Sequence, residues 1–139
     1  MMPLVVDASA AAAWLLRSQA GPRSDAFLER TGEFVLLAPD IFAWETGNLL
    51  RLFAARGALD LDEAFEVLDA LSITVAEPRA PSEVYDLARF AQSIELTLFD
   101  AAYMALAVEL EAELVSRDAN LLTVAQAHAI PCHDIRDVS

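Results

Sequence analysis

Lysine is missing from this chain. All nine basic residues are arginine, set against 22 acids, for a net charge of −13 over 139 residues. Chemistry that needs a primary amine is therefore excluded, and so is the broad basic footprint that long nucleic-acid duplexes require. A protein that holds a few phosphates through bound cations and a few guanidiniums is still compatible with this balance. The single cysteine, Cys132, allows no intramolecular disulfide and fits a reducing compartment, the cytoplasm. The two histidines, His128 and His133, are too few and too badly spaced for a zinc centre. His128 reads as a surface helix residue and His133 as a strand residue. None of the four glycines forms a Gly-rich turn after the first strand, which excludes dinucleotide binding, and there is no G-x-S-x-G nucleophile elbow. No uninterrupted apolar run approaches the ~20 residues of a membrane span. The apolar start MMPLVVDASAAAAWLL lacks a basic n-region and is broken by Asp7, so it reads as a core strand and helix rather than a signal peptide.

What is present is hydrophobic. Apolar residues make up 56% of the chain, enough for one domain over 1–139 with a real core and a surplus to bury against a partner. Strands are expected over 4–6, 34–38, 114–116 and 132–135, with a short β-branched segment over 73–76. Helices are expected over 10–17 with Ser9 as N-cap, 24–30, 41–56 closed by Gly57, then from an Asp60 or Asp62 cap through 71, and over 81–93, 98–110 and 121–128. Strands alternate with helices and no hairpin signal occurs. The expected fold is α/β, a small parallel sheet flanked by helices on both faces.

Four acids interrupt or follow apolar runs: Asp7 in LVVDAS, Glu45 in FAWETGNLL, Asp100 in LTLFDAAYMALA and Asp118 in LVSRDANLL. An acid in such a setting is expensive unless something pairs with it. Taken singly, three have ordinary structural readings. Asp7 could cap a helix, although Ser9 can do that; Thr97 to Asp100 resembles a capping box; and Asp118 could cap the helix beginning near Asn120. Glu45 sits inside a helix, with Asn48 one turn on and Arg51 beyond it on the same stripe. Together, Asp7 and Asp118 fall at C-terminal ends of expected parallel strands, where open α/β sheets place their sites. Asp100 falls in the first turn of a helix. Converging acids repel, and one or two Mg²⁺ or Mn²⁺ ions, which take oxygen ligands, would relieve the repulsion. Two such ions suit phosphodiester cleavage. Ser9, Asn48, Thr97 and Ser116 are candidates for orienting the acids, water or substrate. Arg51 and Arg117 are candidate phosphate contacts, or else surface charges balancing nearby acids.

The order and spacing of these motifs resemble the PIN-domain ribonucleases, and specifically the VapC-type toxins of toxin–antitoxin pairs. VVDASA, with Asp7 and Ser9, is similar to the first family motif. WETGNLLR, with Glu45 and Asn48, is similar to the second, LTLFDAAYMALA with Asp100 to the third, and LVSRDANLL with Asp118 to the fourth. Ser116 stands where the family more often has Thr and keeps the hydroxyl. The resemblance implies a PIN-like fold, cleavage of single-stranded or loop RNA, Mg²⁺ or Mn²⁺ dependence, homodimerisation, and neutralisation by a small antitoxin protein that covers the site. The alternatives are a PIN domain with a weak site that acts as an RNA- or protein-binding module, and a receiver-like Mg²⁺-binding signalling domain. The second needs a Lys that this chain lacks. A haloacid-dehalogenase-like phosphatase fails on the same Lys and on the missing second Asp after Asp7. An aspartic protease would need two like acidic loops, and only one DAS occurs.

Overall fold

The computed structural model describes residues 1–137, and over that span strands and helices alternate. The strands are β1 (Met2–Val6), β2 (Phe34–Ala38), β3 (Thr74–Val75), β4 (Glu113–Ser116) and β5 (Cys132–Asp134). The helices are α1 (Ala8–Leu15), α2 (Pro22–Leu28), α3 (Ile41–Ala55), α4 (Leu61–Ala70), α5 (Pro81–Ser93), α6 (Leu98–Glu109) and α7 (Ala119–Ala127). Two 3-10 turns, Arg17–Gln19 and Thr31–Glu33, flank α2. Every strand pairing is parallel, in the order β3-β2-β1-β4-β5. The parallel α/β sheet read from the sequence is the fold observed.

Both faces of the sheet are covered. Leu4, Val5 and Val6 follow one another in β1, so their side chains alternate between the faces, yet each is 0% exposed. The run Ala10–Ala13 is buried as well. Its small side chains let α1 lie against β4 on one side and against α3 and α4 on another. Trp14 ends this run, with its indole N–H donated to the Ser24 carbonyl at 3.1 Å and its ring stacked on Phe27.

The strand order sets the position of the site. From the central β1 the chain steps outward to β2 and then β3; it returns beside β1 as β4 and steps outward the other way to β5. The crevice between the C-terminal ends of β1 and β4 is therefore the topological switch point, where open parallel sheets bind their ligands. Val6 pairs with Val115, and the ladder continues one step further through the Asp7 N–H to the Val115 carbonyl at 3.3 Å.

Two expectations about helix ends are corrected. Ser9 does not cap α1. Asp7 does, accepting a hydrogen bond from the Ala10 N–H, and Ser9 lies inside the first turn. The second helix begins at Pro22, two residues before Ser24, whose hydroxyl closes the turn by accepting from the Gly21 N–H and donating to the Gly21 carbonyl. The first correction moves Asp7 from a free carboxylate to a structural one.

The C-terminal ends share a device the sequence conceals. After α3, α5, α6 and α7 the chain turns through a left-handed residue: Gly57, Glu95, Glu111 and Ala129, with φ of 75°, 57°, 51° and 61°. The next N–H then reaches back to the last full turn, from Ala58 to Phe53, Leu96 to Ala91, Ala112 to Ala107 and Ile130 to Ala125. These are Schellman closures, and Leu96, Ala112 and Ile130 bury the side chain that follows. Only the first uses glycine. The left-handed conformation costs a side chain roughly 1–2 kcal/mol, partly offset by the larger entropy glycine loses on folding. Ala129→Gly and Glu111→Gly are each expected to stabilise the protein by about 0.5–1 kcal/mol, whereas Ala125→Gly inside α7 should destabilise it by a similar amount. Urea unfolding of the three variants checks the signs.

Candidate active site

Asp7 leaves β1 at the switch point and is 3% exposed. Its carboxylate accepts from three donor groups. One oxygen accepts from the Ala10 N–H at 2.8 Å and from the Ser9 hydroxyl at 2.8 Å; the other accepts from the Ser116 hydroxyl at 2.6 Å. Each serine also accepts. The Arg117 N–H donates to Ser9 Oγ at 2.9 Å, and the Asp118 N–H donates to Ser116 Oγ at 2.9 Å. The two hydroxyls thus tie the exit of β1 to the turn after β4. Burial still outweighs these bonds, helped by the charge of Asp118, and the Asp7 carboxyl is pushed up to about 6.

Asp118 caps α7, accepting from the Leu121 N–H at 2.9 Å, as its position before Asn120 suggests. Asp100 lies in the first turn of α6, behind the cap Thr97, whose hydroxyl accepts from the Asp100 N–H at 3.1 Å. Burial raises the Asp100 carboxyl to about 6, and the charges of Asp118 and Glu45 add to the effect against a weaker pull from Thr97. Glu45 comes from α3, and its Oε1 accepts from the Tyr103 hydroxyl at 2.7 Å. Burial raises the Tyr103 hydroxyl far above the ordinary phenol range, with Glu45 and Asp7 reinforcing it. It stays a donor at every pH at which the protein works. The four acids are therefore one electrostatic cluster: Asp7 feels Asp118, Asp118 and Glu45 both act on Asp100, and Asp7 and Glu45 both act on Tyr103.

The other candidates divide. Ser9 and Ser116 sit in the cluster through their bonds to Asp7. Thr97 reaches Asp100. The Arg117 backbone belongs to the network, while its guanidinium is held by Gln19 Oε1 at 3.1 Å. Asn48 and Arg51 lie on the exposed side of α3, in a shallow groove with Ala43, Trp44 and Gly47, and no hydrogen bond among the described residues joins them to the acids. Sequence reasoning missed Tyr103 and Gln19. Tyr103 falls three residues after Asp100 on the same helix face, a spacing that could have suggested it.

The donor set is entirely oxygen. His133 pairs with Glu113 at 2.6 Å on the neighbouring strands, and the Cys132 thiol faces the Ile130 carbonyl, so neither joins the acids. Hard oxygens suit Mg²⁺ or Mn²⁺ and not softer metals. Among the described residues, no three His, Cys, Asp or Glu side chains close into a ready-made ligand set. An open rim still suits Mg²⁺, which keeps several waters and takes one or two carboxylates directly.

The raised carboxyls fix the sign of a pH effect. Between about 4 and 6 the folded protein binds protons at Asp7 and Asp100 more readily than the unfolded chain does. This contribution to stability is lost as pH rises through about 6 and recovered as pH falls. The melting temperature in chelator should rise from about pH 7.5 to about pH 5, before the ordinary carboxylates titrate. Asp100→Asn should flatten the rise; an unchanged slope in that variant would separate the cluster from the effect.

Residues 4–127 match the PIN domain family. Ribonuclease VapC3 of Pyrobaculum aerophilum is 33% identical over 123 residues, covering 86% of this chain and 92% of the relative. The crystal structure of PAE2754 from Pyrobaculum aerophilum superposes with a TM-score of 0.70 at 24% identity, over 96% of this chain and 90% of that one. FitAcB from Neisseria gonorrhoeae superposes with a TM-score of 0.61 at 14% identity, over 95% and 97% of the two chains, a likeness of fold alone. The chain belongs to the PIN-domain family, and within it to the VapC type.

Proposed function

We propose that this protein is a metal-dependent endoribonuclease that cleaves single-stranded or loop RNA and serves as the toxin of a toxin–antitoxin pair. The observation that carries the reading is the coupling of Asp7, Glu45, Asp100 and Asp118 across the switch-point crevice. The relative named a ribonuclease supports the chemistry. These four acids would hold Mg²⁺ or Mn²⁺, and such an ion supplies charge neutralisation at the scissile phosphate and an acidified water.

The chain's own residues prepare the site. Ser9, Ser116 and the Ala10 N–H fix the Asp7 carboxylate. The Tyr103 hydroxyl fixes Glu45. Asp7 and Asp118 cap α1 and α7, and Asp100 lies in the first turn of α6, so three helix N-termini point their partial positive charge at the cluster. That field offsets part of the mutual repulsion and favours an incoming phosphate.

Homodimerisation, a small antitoxin partner and a cytoplasmic location complete the reading. Support for association comes from apolar side chains exposed on α3 and α4, namely Leu52, Phe65 and Val67. No helix among the described residues is long and apolar enough to cross a membrane. Sedimentation at micromolar concentration should give twice the 15.1 kDa chain mass. A clean 15.1 kDa species would remove the dimer from the proposal.

The activity is tested with unpaired and structured RNAs in Mg²⁺ or Mn²⁺, then with excess chelator. Cleavage should require the metal and fall at least ~100-fold in Asp7→Asn, Glu45→Gln, Asp100→Asn and Asp118→Asn. Tyr103→Phe should lose roughly tenfold in kcat, since Glu45 is then free to rotate. Mn²⁺ should raise the melting temperature of the wild type by mass action, by about 2.7 kcal/mol at a hundredfold excess over its Kd, with a smaller rise in the four acid variants. Cleavage that survives chelation, or persists in Asp7→Asn, would refute the mechanism. If no RNA is cut at all, the binding-module reading gains.

A further inference from the structure

Two exposed aromatic rings border the acid cluster, and nothing in the site chemistry above uses them. Trp44 is 81% exposed and directly precedes Glu45. Phe99 is 55% exposed and directly precedes Asp100. Glu45 and Asp100 are themselves coupled, so two rings stand one residue away from two acids of one cluster. One helix residue is a turn of roughly 100°. Trp44 is thus turned by that angle around α3 from Glu45, and Phe99 around α6 from Asp100, so each exposed ring stands on the helix face adjoining one of these acids. Trp44 and Phe99 have no aromatic partner among the described residues, whereas Phe90 packs on His128 and Phe27 stacks on both Trp14 and Phe34.

The ground beside Trp44 is also unusual. Ala43, Trp44, Gly47, Asn48 and Arg51 line a shallow groove of about 410 Å³ along α3. Gly47 sits in the middle of this helix, and a Cβ added there would meet nothing within 4 Å. A mid-helix glycine costs roughly 0.5–1 kcal/mol relative to alanine, and packing inside the chain supplies no reason for it. It leaves bare backbone where a flat group can approach closely. Arg51, at the end of the groove, is exposed and has no ion-pair partner among the described residues, in a chain with 22 acids. An unpaired guanidinium beside an exposed indole matches the phosphate and base of a single nucleotide.

We infer that Trp44 and Phe99 are base-stacking platforms on either side of the acid cluster, with Arg51 holding a backbone phosphate, so that substrate is accepted as an unpaired strand with splayed bases. The inference rests on the nuclease reading and adds the groups that select single strands. Each ring offers a π-face that any base can cover, while a duplex keeps its bases stacked on one another and leaves the rings bare.

Steady-state cleavage of an unpaired RNA gives the first test. Trp44→Ala and Phe99→Ala should each raise KM about tenfold with kcat close to wild type, and Trp44→Phe should recover most of the loss. Emission gives the second, which needs no turnover. Of the two tryptophans, Trp14 is buried, so a change in emission reports on Trp44. In the Asp100→Asn protein with Mn²⁺, an unpaired RNA of about ten nucleotides should quench the emission. A duplex of the same sequence should not, and Trp44→Phe should abolish the response. Gly47→Ala should weaken this binding while raising thermal stability. An unchanged KM in both alanine variants overturns the inference, as does emission indifferent to the single strand or equally quenched by duplex. A Trp44→Ala variant that sediments as half the wild-type mass also overturns it and assigns the ring to a protein interface. Absence of wild-type cleavage sinks the nuclease reading alone, because quenching by the single strand still decides whether Trp44 stacks on bases.

Discussion

The buried Asp7 carboxylate is the joint on which the rest of the molecule depends. It ends β1, caps α1 and draws the hydroxyls of Ser9 and Ser116 onto itself, and those hydroxyls grip the backbone of the turn that opens α7. A carboxylate this deeply buried would normally be neutral. Three donors from its own chain offset part of that cost, and burial still pushes the carboxyl up to about 6. A carboxyl held near 6 is largely ionised at neutral pH, so a buried negative charge stands at the crevice. The same bonds that make the crevice rigid keep the carboxylate ready for a positive charge.

Around this joint the fold sets attraction against repulsion. Three helices begin at the crevice, and their N-termini offset part of the charge of Asp7, Asp100 and Asp118. Glu45, arriving from the interior of α3, has no such dipole and relies on the Tyr103 hydroxyl. Tyr103 can do this because burial and the surrounding acids suppress its ionisation. Positioning by a neutral donor adds no charge to the crevice, which is why a tyrosine serves where an arginine would neutralise the site.

The sequence showed the fold where a pattern has one physical meaning. Apolar runs bounded by turn residues located each strand to within two or three residues, and the lack of hairpin turns left only parallel pairing. It failed where two residues compete for one role. Asp7 and Ser9 are both good N-caps, and only the structure shows that Asp7 takes the cap while Ser9 turns back to hold it. Helix ends at Glu95, Glu111 and Ala129 were placed within a residue or so, but their left-handed closure was invisible because no glycine marks it. Tyr103 was hidden in an apolar helix, since a buried hydroxyl looks like core until its partner, 58 residues away, is brought to it. The acids themselves were conspicuous because charge in an apolar run is expensive.

Charge frames how such a site meets a polyanion. At physiological ionic strength the repulsion from a net charge of −13 is screened within about 8 Å, so an RNA strand is opposed only in the last stage of approach. A lysine-rich protein would answer with a diffuse positive field that attracts any nucleic acid. This chain has no such field. For the proposed RNA substrate, attraction would have to come from contacts that act at short range: carboxylates neutralised by a cation, helix N-termini, an unpaired guanidinium and open aromatic faces. Short-range contacts demand fit, and they reward a strand whose bases are free to leave the stack. On the proposed reading an acidic surface would work as a filter: duplex and non-specific nucleic acid would gain little from this protein, and the groups around the crevice would decide what is admitted.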